Sequence, residues 1–273
     1  MPNYIKNRIE LTGAEDRVNA FIERFSTTYK EEQHKSFDDN DTYTNENGGY
    51  GWLNTKTNVF ARRDMEDVIG VPFNFKPYMV AAWTRFPDFE KIIPMPKSLN
   101  IHSDGWLMPL ENQFSSHKEM KQHVDELKKH CKEYPKQATE TIENFISGIK
   151  NYIEYGHPSW YGWSIENWGA KWNSSECEKI SDTIFDFVTA NSGVPKLIEK
   201  MSLKFADVKI NYEYADEDTG CNCGVGTYFN GENVFGKLEN SSIEAYELAF
   251  KLRPGIKENY RLVDGKYEYV DED

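Results

Sequence analysis

Two stretches of alternating sequence, one near the start of the chain and one in its last third, restrict the fold more than any other feature. Ile5, Asn7, Ile9 and Leu11 alternate with Lys6, Arg8 and Glu10, and a period of two places the first set on one face of a strand. Val208, Ile210, Tyr212 and Tyr214 alternate in the same way with Lys209, Asn211 and Glu213. Each strand adjoins a helical pattern. Thr12 stands at capping-box spacing from Glu15, followed by Val18, Phe21, Ile22 and Phe25 at intervals near 3.6. Pro195, suited to a first helical position, precedes Leu197, Ile198, Met201 and Phe205. The run Thr183–Thr189 is β-branched and aromatic with little charge, as a central strand requires. Strand, helix and strand therefore recur at both ends of a β-α-β plan.

The material between these ends is of another kind. From Ser116 to Tyr155, Met120, Val124, Leu127 and Cys131 form one apolar stripe, Pro135 interrupts, and Ile142, Phe145, Ile146, Ile149 and Ile153 form a second. This predicts a helical hairpin at 116–155, inserted into a sheet domain. The prolines between 72 and 96 confine strands there to short pieces such as Tyr78–Trp83. Residues 30–51, with Asp38–Asp41 and Asn45–Gly49, have almost no apolar periodicity and read as a long mobile loop. At the other end, Asn230-Gly231 and Asp264-Gly265 each separate two strand-like runs, because both turn positions must take positive φ. Ser241 and Glu244 predict a capped helix between these hairpins. A single elaborated domain, residues 1–273, with a C-terminal hairpin extension at 225–273, is the expected organisation.

Acidic residues outnumber basic ones 45 to 32, for a formal charge of -13. Such a surface repels phosphate backbones and anionic membranes, which argues against nucleic acid as a partner. The acidity is polarised: Glu213 to Asp273 holds 14 Asp and Glu against 6 Lys and Arg. Cys131, Cys177, Cys221 and Cys223 are too scattered for a disulfide scaffold and are expected as thiols. With no long apolar run and no signal-peptide core at its start, the chain is expected to be cytoplasmic, without a membrane partner.

Four of the seven Trp fall within the thirteen residues Trp160–Trp172, among Gly and Asn. Taken as a strand, this block puts Trp163, Ile165 and Asn167 on one side and Ser164, Glu166 and Trp168 on the other. Core filling by Trp163, Trp168 and Trp172 is the default, since an indole buries a large area and needs one partner for its N–H.

Four pieces of the chain carry a family resemblance. They are Met1-Pro2-Asn3 with Asn7 and Leu11-Thr12-Gly13, the segment Phe89–Pro96, the block Tyr161–Asn173 with Glu166-Asn167-Trp168-Gly169 and Lys171-Trp172, and the run from Phe185 through Tyr214 to Cys223-Gly224. In these the sequence resembles the YubB-like, or phage-protein ferredoxin-like, domain family of plasmids and bacteriophages. The resemblance implies an α+β fold, a ferredoxin-like antiparallel sheet with helices on one face, here with an inserted helical hairpin and C-terminal β-hairpins. It also implies carriage on a mobile element in a bacterial host cell, and it supplies no reaction, cofactor or catalytic residue. The chain departs from the family pattern at the hairpin 116–155, at Asp216-Glu217-Asp218 and at the polar loop near Asp39.

Candidate sites follow from the residue types. Glu166 and Lys171 read first as a structural ion pair and second as ligand-contacting groups, with Trp168, Trp172 and His157 beside them. Asp216, Glu217 and Asp218, close to Cys221 and Cys223, invite a metal reading, but the twelfth position from Asp216 is Thr227, not Glu, and zinc spacing is missing. A solvated turn is the better account, with both cysteines on one face of an edge strand. His123 and His130 could share a helix face, without the spacing of metal ligands. No phosphate loop, dinucleotide fingerprint, nucleophile elbow or His-Glu-x-x-His motif occurs. The expectation is a binding protein without catalytic residues, metal or cofactor, whose partner is a host or phage protein or a small ligand and which acts against a host defence system. A ligand-binding protein or enzyme with a pocket near Glu166 and Lys171, and an acidic DNA mimic, are the alternatives. The oligomeric state is left open.

Overall fold

The computed structural model describes residues 2–33, 52–54, 59–61, 78–103, 105–111 and 117–270; of the loop expected at 30–51, residues 30–33 belong to a strand and the rest, with Asp39, lies outside the described residues. The chain divides into two compact units, residues 1–27 with 85–273, and residues 28–84. In the second unit a strand β2 (Thr27–Gln33) pairs with β5 (Tyr78–Arg85), and β3 (Trp52–Asn54) with β4 (Val59–Ala61). Tyr78–Trp83 is thus a strand, as the sequence predicts.

The first unit is built on β1 (Tyr4–Thr12) and the helix α1 (Glu15–Phe25). The predicted alternation holds, for Ile5, Asn7, Ile9 and Leu11 are all buried. The predicted cap does not: Ala14 occupies the N-cap with no side-chain bond, so Thr12 remains the last strand residue. After a long insertion the sheet resumes with β6 (Ser175–Lys179) and β7 (Ile184–Ala190), then α7 (Pro195–Lys204) and β8 (Lys209–Asp216). β7, buried almost throughout, lies between β1 and β6. A hairpin of β9 (Gly224–Phe229) and β10 (Glu232–Lys237) extends the sheet, giving the order β10-β9-β8-β1-β7-β6 with every pair antiparallel. The inner four strands, β8-β1-β7-β6, stand in the order fourth, first, third, second of a β-α-β-β-α-β unit, which is the ferredoxin-like arrangement.

Register determines what each sheet face carries. Ile9 lies opposite Tyr212, Asn7 opposite Tyr214 and Phe187, and Leu11 opposite Ile210. This face packs on α1, α7 and the short helix α2 (Phe89–Ile92), burying Phe21, Phe25, Phe89, Leu197, Ile198 and Met201. Three of the buried polar side chains on it are linked. The Tyr212 hydroxyl donates to Asn7 Oδ1 (2.6 Å) and accepts from the Val194 amide (2.7 Å), while Asn7 Nδ2 donates to Thr189 Oγ1 (2.9 Å). The Tyr214 ring lies against the backbone of Gly193 and Gly224, where an added Cβ would come within 2.5 Å of it, so both positions require glycine. On the opposite face Arg8 holds Asp186 bidentately (2.7 and 2.9 Å) and Lys6 lies 3.5 Å away. The helix α8 (Ile243–Leu252) covers Ala215 and Cys223 on that side, and Lys251 reaches Glu213 at 2.6 Å. Its cap is Ser242, one residue beyond the predicted Ser241.

The insertion contains α3 (Met108–Glu111), the predicted hairpin as α4 (His117–Glu133) and α5 (Ala138–Tyr155), and the helix α6 (Trp160–Trp168). A separate small core of Leu107, Leu110, Leu127 and Phe145 holds the hairpin. The stripe predicted for α5 is divided. Phe145, Gly148 and Asn151 face inward, whereas Ile142, Ile146 and Ile153 are exposed. Both Gly turns form as predicted, with positive φ at Asn230 and Gly231 and at Asp264 and Gly265. The second joins β11 (Tyr260–Val263) to β12 (Lys266–Tyr269), whose Tyr260 and Tyr267 rings pack on Tyr246 and Phe250 of α8.

Candidate functional site

The Trp block is a helix, not the strand its alternation suggested. Ser159 caps its start by accepting from the Tyr161 amide, and Gly169 ends it in the left-handed region (φ 79°). Both are local signals of a nine-residue helix, and they outweigh the side-chain alternation. Trp163 and Trp168 point into the main core, 5.5 Å apart in edge-to-face contact. The Trp168 indole donates to the Ile93 carbonyl at 2.9 Å. Asn173, just beyond, accepts from the Phe89 amide (2.9 Å) and donates to Asp88 (2.7 Å). Of the candidate residues, Trp168 is therefore structural.

The others separate. Glu166 does not pair with Lys171; its Oε2 lies 2.5 Å from His157 Nε2. The helical geometry explains the exchange, since Glu166 lies within the last turn of α6 and Lys171 beyond its Gly169 stop. Lys171 instead places its ammonium 4.4 Å from the centroid of the Trp172 ring and 5.5 Å from that of Tyr161. Trp172, expected in the core, is 42% exposed. Its ring and that of Tyr161 thus carry a cation on the surface. Tyr161 is a member that the strand reading missed. A helix beginning at Trp160 would have pointed to it. Ser164 Oγ, buried, donates to the Lys171 carbonyl (2.9 Å) and so holds the segment after the helix against it.

The acidic candidates divide as well. Asp216 is no solvated turn residue, being 4% exposed. Its carboxylate accepts from Asn3 Nδ2 (3.1 Å), Asn222 Nδ2 (2.9 Å) and the Asp218 amide (3.0 Å). Arg253, whose pKa burial pushes down despite the nearby acids, donates to the Asp216 and Tyr4 carbonyls. Glu217 and Asp218 remain exposed. Cys221 and Cys223 lie in the turn before β9, not on a strand, and burial raises both thiols, Cys223 to about 11. Asn222, six residues on, and Asn3 and Arg253 from distant parts of the sequence complete this cluster. Among the described residues no group of three or more His, Cys, Asp or Glu is arranged to hold a metal.

His123 and His130 do share a face of α4, with the Trp106 ring 5.5 and 5.1 Å from theirs. A shallow depression of 440 Å³ runs along the outer side of the same helix, lined by Lys118, Lys121, Gln122, Asp125, Glu126 and Lys129. One helix supplies every wall, so the convergent polar groups of a small-molecule site are missing there.

Strand order and core together define an α+β protein of ferredoxin-like fold. Residues 167–252, from the end of α6 through α8, match the family described as the ferredoxin-like domain in Api92-like protein. Among solved structures, the crystal structure of a protein api92 from Yersinia pseudotuberculosis is similar over 88% of this chain and 99% of that one, at 12% identity and a TM-score of 0.37. No curated protein matches the chain. Among the described residues no helix is long and apolar enough to cross a membrane.

Proposed function

We propose that this is a non-enzymatic binding protein whose contact surface is the ridge formed by Tyr161, Lys171 and Trp172. The observation that carries the reading is the exposed Trp172 ring with the Lys171 ammonium 4.4 Å from its centroid. Tryptophan and tyrosine are the residues that most often anchor protein interfaces, and an ammonium beside them favours a partner presenting a carboxylate or phosphate. The buried carboxylates support the same reading. Asp88, Asp186 and Asp216 each accept hydrogen bonds from side chains or amides of the protein itself, which suits positioning of the fold better than proton transfer to a substrate. The partner in this proposal is a host or phage protein, and a mobile-element setting directed against host defence is supported by the sequence resemblance.

Capture from bacterial lysate on the wild-type chain, compared with a Lys171→Ala/Trp172→Ala variant, tests the ridge. A protein retained by the wild type and lost by the folded variant supports it. Equal retention by both, or a co-purified small ligand in native mass spectra that survives the substitutions, overturns it.

A further inference from the structure

The exposed side of α5 carries a pattern that none of the preceding roles uses. Ile142, Ile146, Ile149 and Ile153 succeed one another at intervals of four, three and four, the spacing of a coiled-coil seam. Ile142 is 43%, Ile146 46% and Ile153 79% exposed, while Ile149 packs at the edge of the core beneath the hairpin. The other side of α5 already rests on that core through Phe145 and Gly148, so the exposed Ile142, Ile146 and Ile153 are additional to what holds the helix. Exposed β-branched aliphatic residues in such a row have no part in solubility.

We infer that the stripe is a two-fold interface between two copies of this chain, with the α5 helices antiparallel. The stripe reads the same from either end. In an antiparallel pair Ile146 of one copy meets Ile149 of the other, and Ile142 meets Ile153, so every member finds an apolar counterpart, as an isologous contact demands. The charges agree with this direction. Glu143 and Lys150 occupy equivalent flanking positions seven residues apart, both solvent-exposed, and antiparallel packing sets Glu143 of each copy beside Lys150 of the other. Parallel packing would bring these two residues instead towards Phe145 and Tyr152, which turn towards their own chain. Four isoleucines a side form a small interface, so association is concentration-dependent.

Sedimentation analysis over a wide concentration range tests the inference. The wild type is expected to move from the 31.8 kDa chain mass towards twice that value. Ile146→Glu and Ile153→Glu, at exposed positions that leave the fold intact, should each weaken the dimer by about tenfold or more. Glu143→Lys or Lys150→Glu alone should weaken it, and the two together should restore it, because the exchanged charges still face one another. A chain that stays monomeric throughout, a dimer indifferent to the isoleucine substitutions, or a double exchange that restores nothing would each overturn the proposal. Circular dichroism of each variant separates loss of association from loss of folding.

Discussion

The indole N–H of Trp168 donates to the carbonyl of Ile93 at 2.9 Å across seventy-five residues of chain. This bond joins the segments Phe89–Pro96 and Tyr161–Asn173, and Asn173 fastens them again through Asp88 and the Phe89 amide. The two segments together form a bracket that fixes α6 to the main core. Trp168→Phe keeps a ring beside Phe89 and Trp163 but removes the donor. It should lower stability by about 1–3 kcal/mol, the cost of leaving a polar group without its partner, as read from urea unfolding.

Tyr212 should be equally intolerant. Its hydroxyl bridges Asn7 and the Val194 amide inside the core. Tyr212→Phe leaves both without that partner at almost unchanged volume, so a loss of about 1–3 kcal/mol is expected, without a change in the exposed area inferred from the denaturant slope.

The buried phenols make the fold sensitive to alkali. Burial raises Tyr212, Tyr214 and Tyr228 above the ordinary value of 10.0, Tyr214 to about 12. The folded state thus holds these protons more tightly than the unfolded chain does. Their contribution is complete below pH 10 and is lost as the pH rises through the folded values, so stability should decline from about pH 10 to about pH 12. Ultraviolet titration should show exposed tyrosines ionising first and the buried three only with unfolding.

Thiol reactivity should follow burial in the same manner. Cys177, Cys221 and Cys223 all have raised pKa values, chiefly through desolvation, and the thiolate is the reactive form. Treated with a thiol reagent at pH 7, native protein should leave Cys223 unmodified, whereas the unfolded chain should react at all four cysteines. Peptide mapping distinguishes the sites.

The surface ridge should behave oppositely to the core. Lys171→Ala removes a cation from the exposed Trp172 ring and the half-buried Tyr161 ring, an interaction of about 0.5–1 kcal/mol at surface sites, and should change the melting temperature little. Arg253→Ala, by contrast, deprives the Tyr4 and Asp216 carbonyls of a half-buried charged donor, and should cost about 1–3 kcal/mol. Thermal scans of the two variants side by side check the difference.

Much of the fold was legible because it is encoded locally. Alternation at Ile5–Leu11 and Val208–Tyr214, the Pro195 helix start and the Asn-Gly and Asp-Gly turns act over a few residues, and each predicted element forms. The Trp block misled because aromatic alternation imitates a strand, while the decisive signals, Ser159 and Gly169, lie at its two ends. Once that segment is a helix, the partners of Glu166 and Lys171 change with it. Asp216 was misread for a different reason: an acidic loop is solvated by default, and this carboxylate instead takes Asn3 and Asn222 as partners once the chain has folded.

By itself, the sequence determined the strands and helices of the β-α-β plan, because backbone propensity, capping and turn chemistry depend on near neighbours. Only the tertiary structure decided that β1 lies between β7 and β8, that α5 turns its isoleucines outward and that Lys171 rests on Trp172. Those outcomes depend on which apolar faces compete for one core and which buried polar groups find partners across distant segments, and neither competition is visible until the chain has closed on itself.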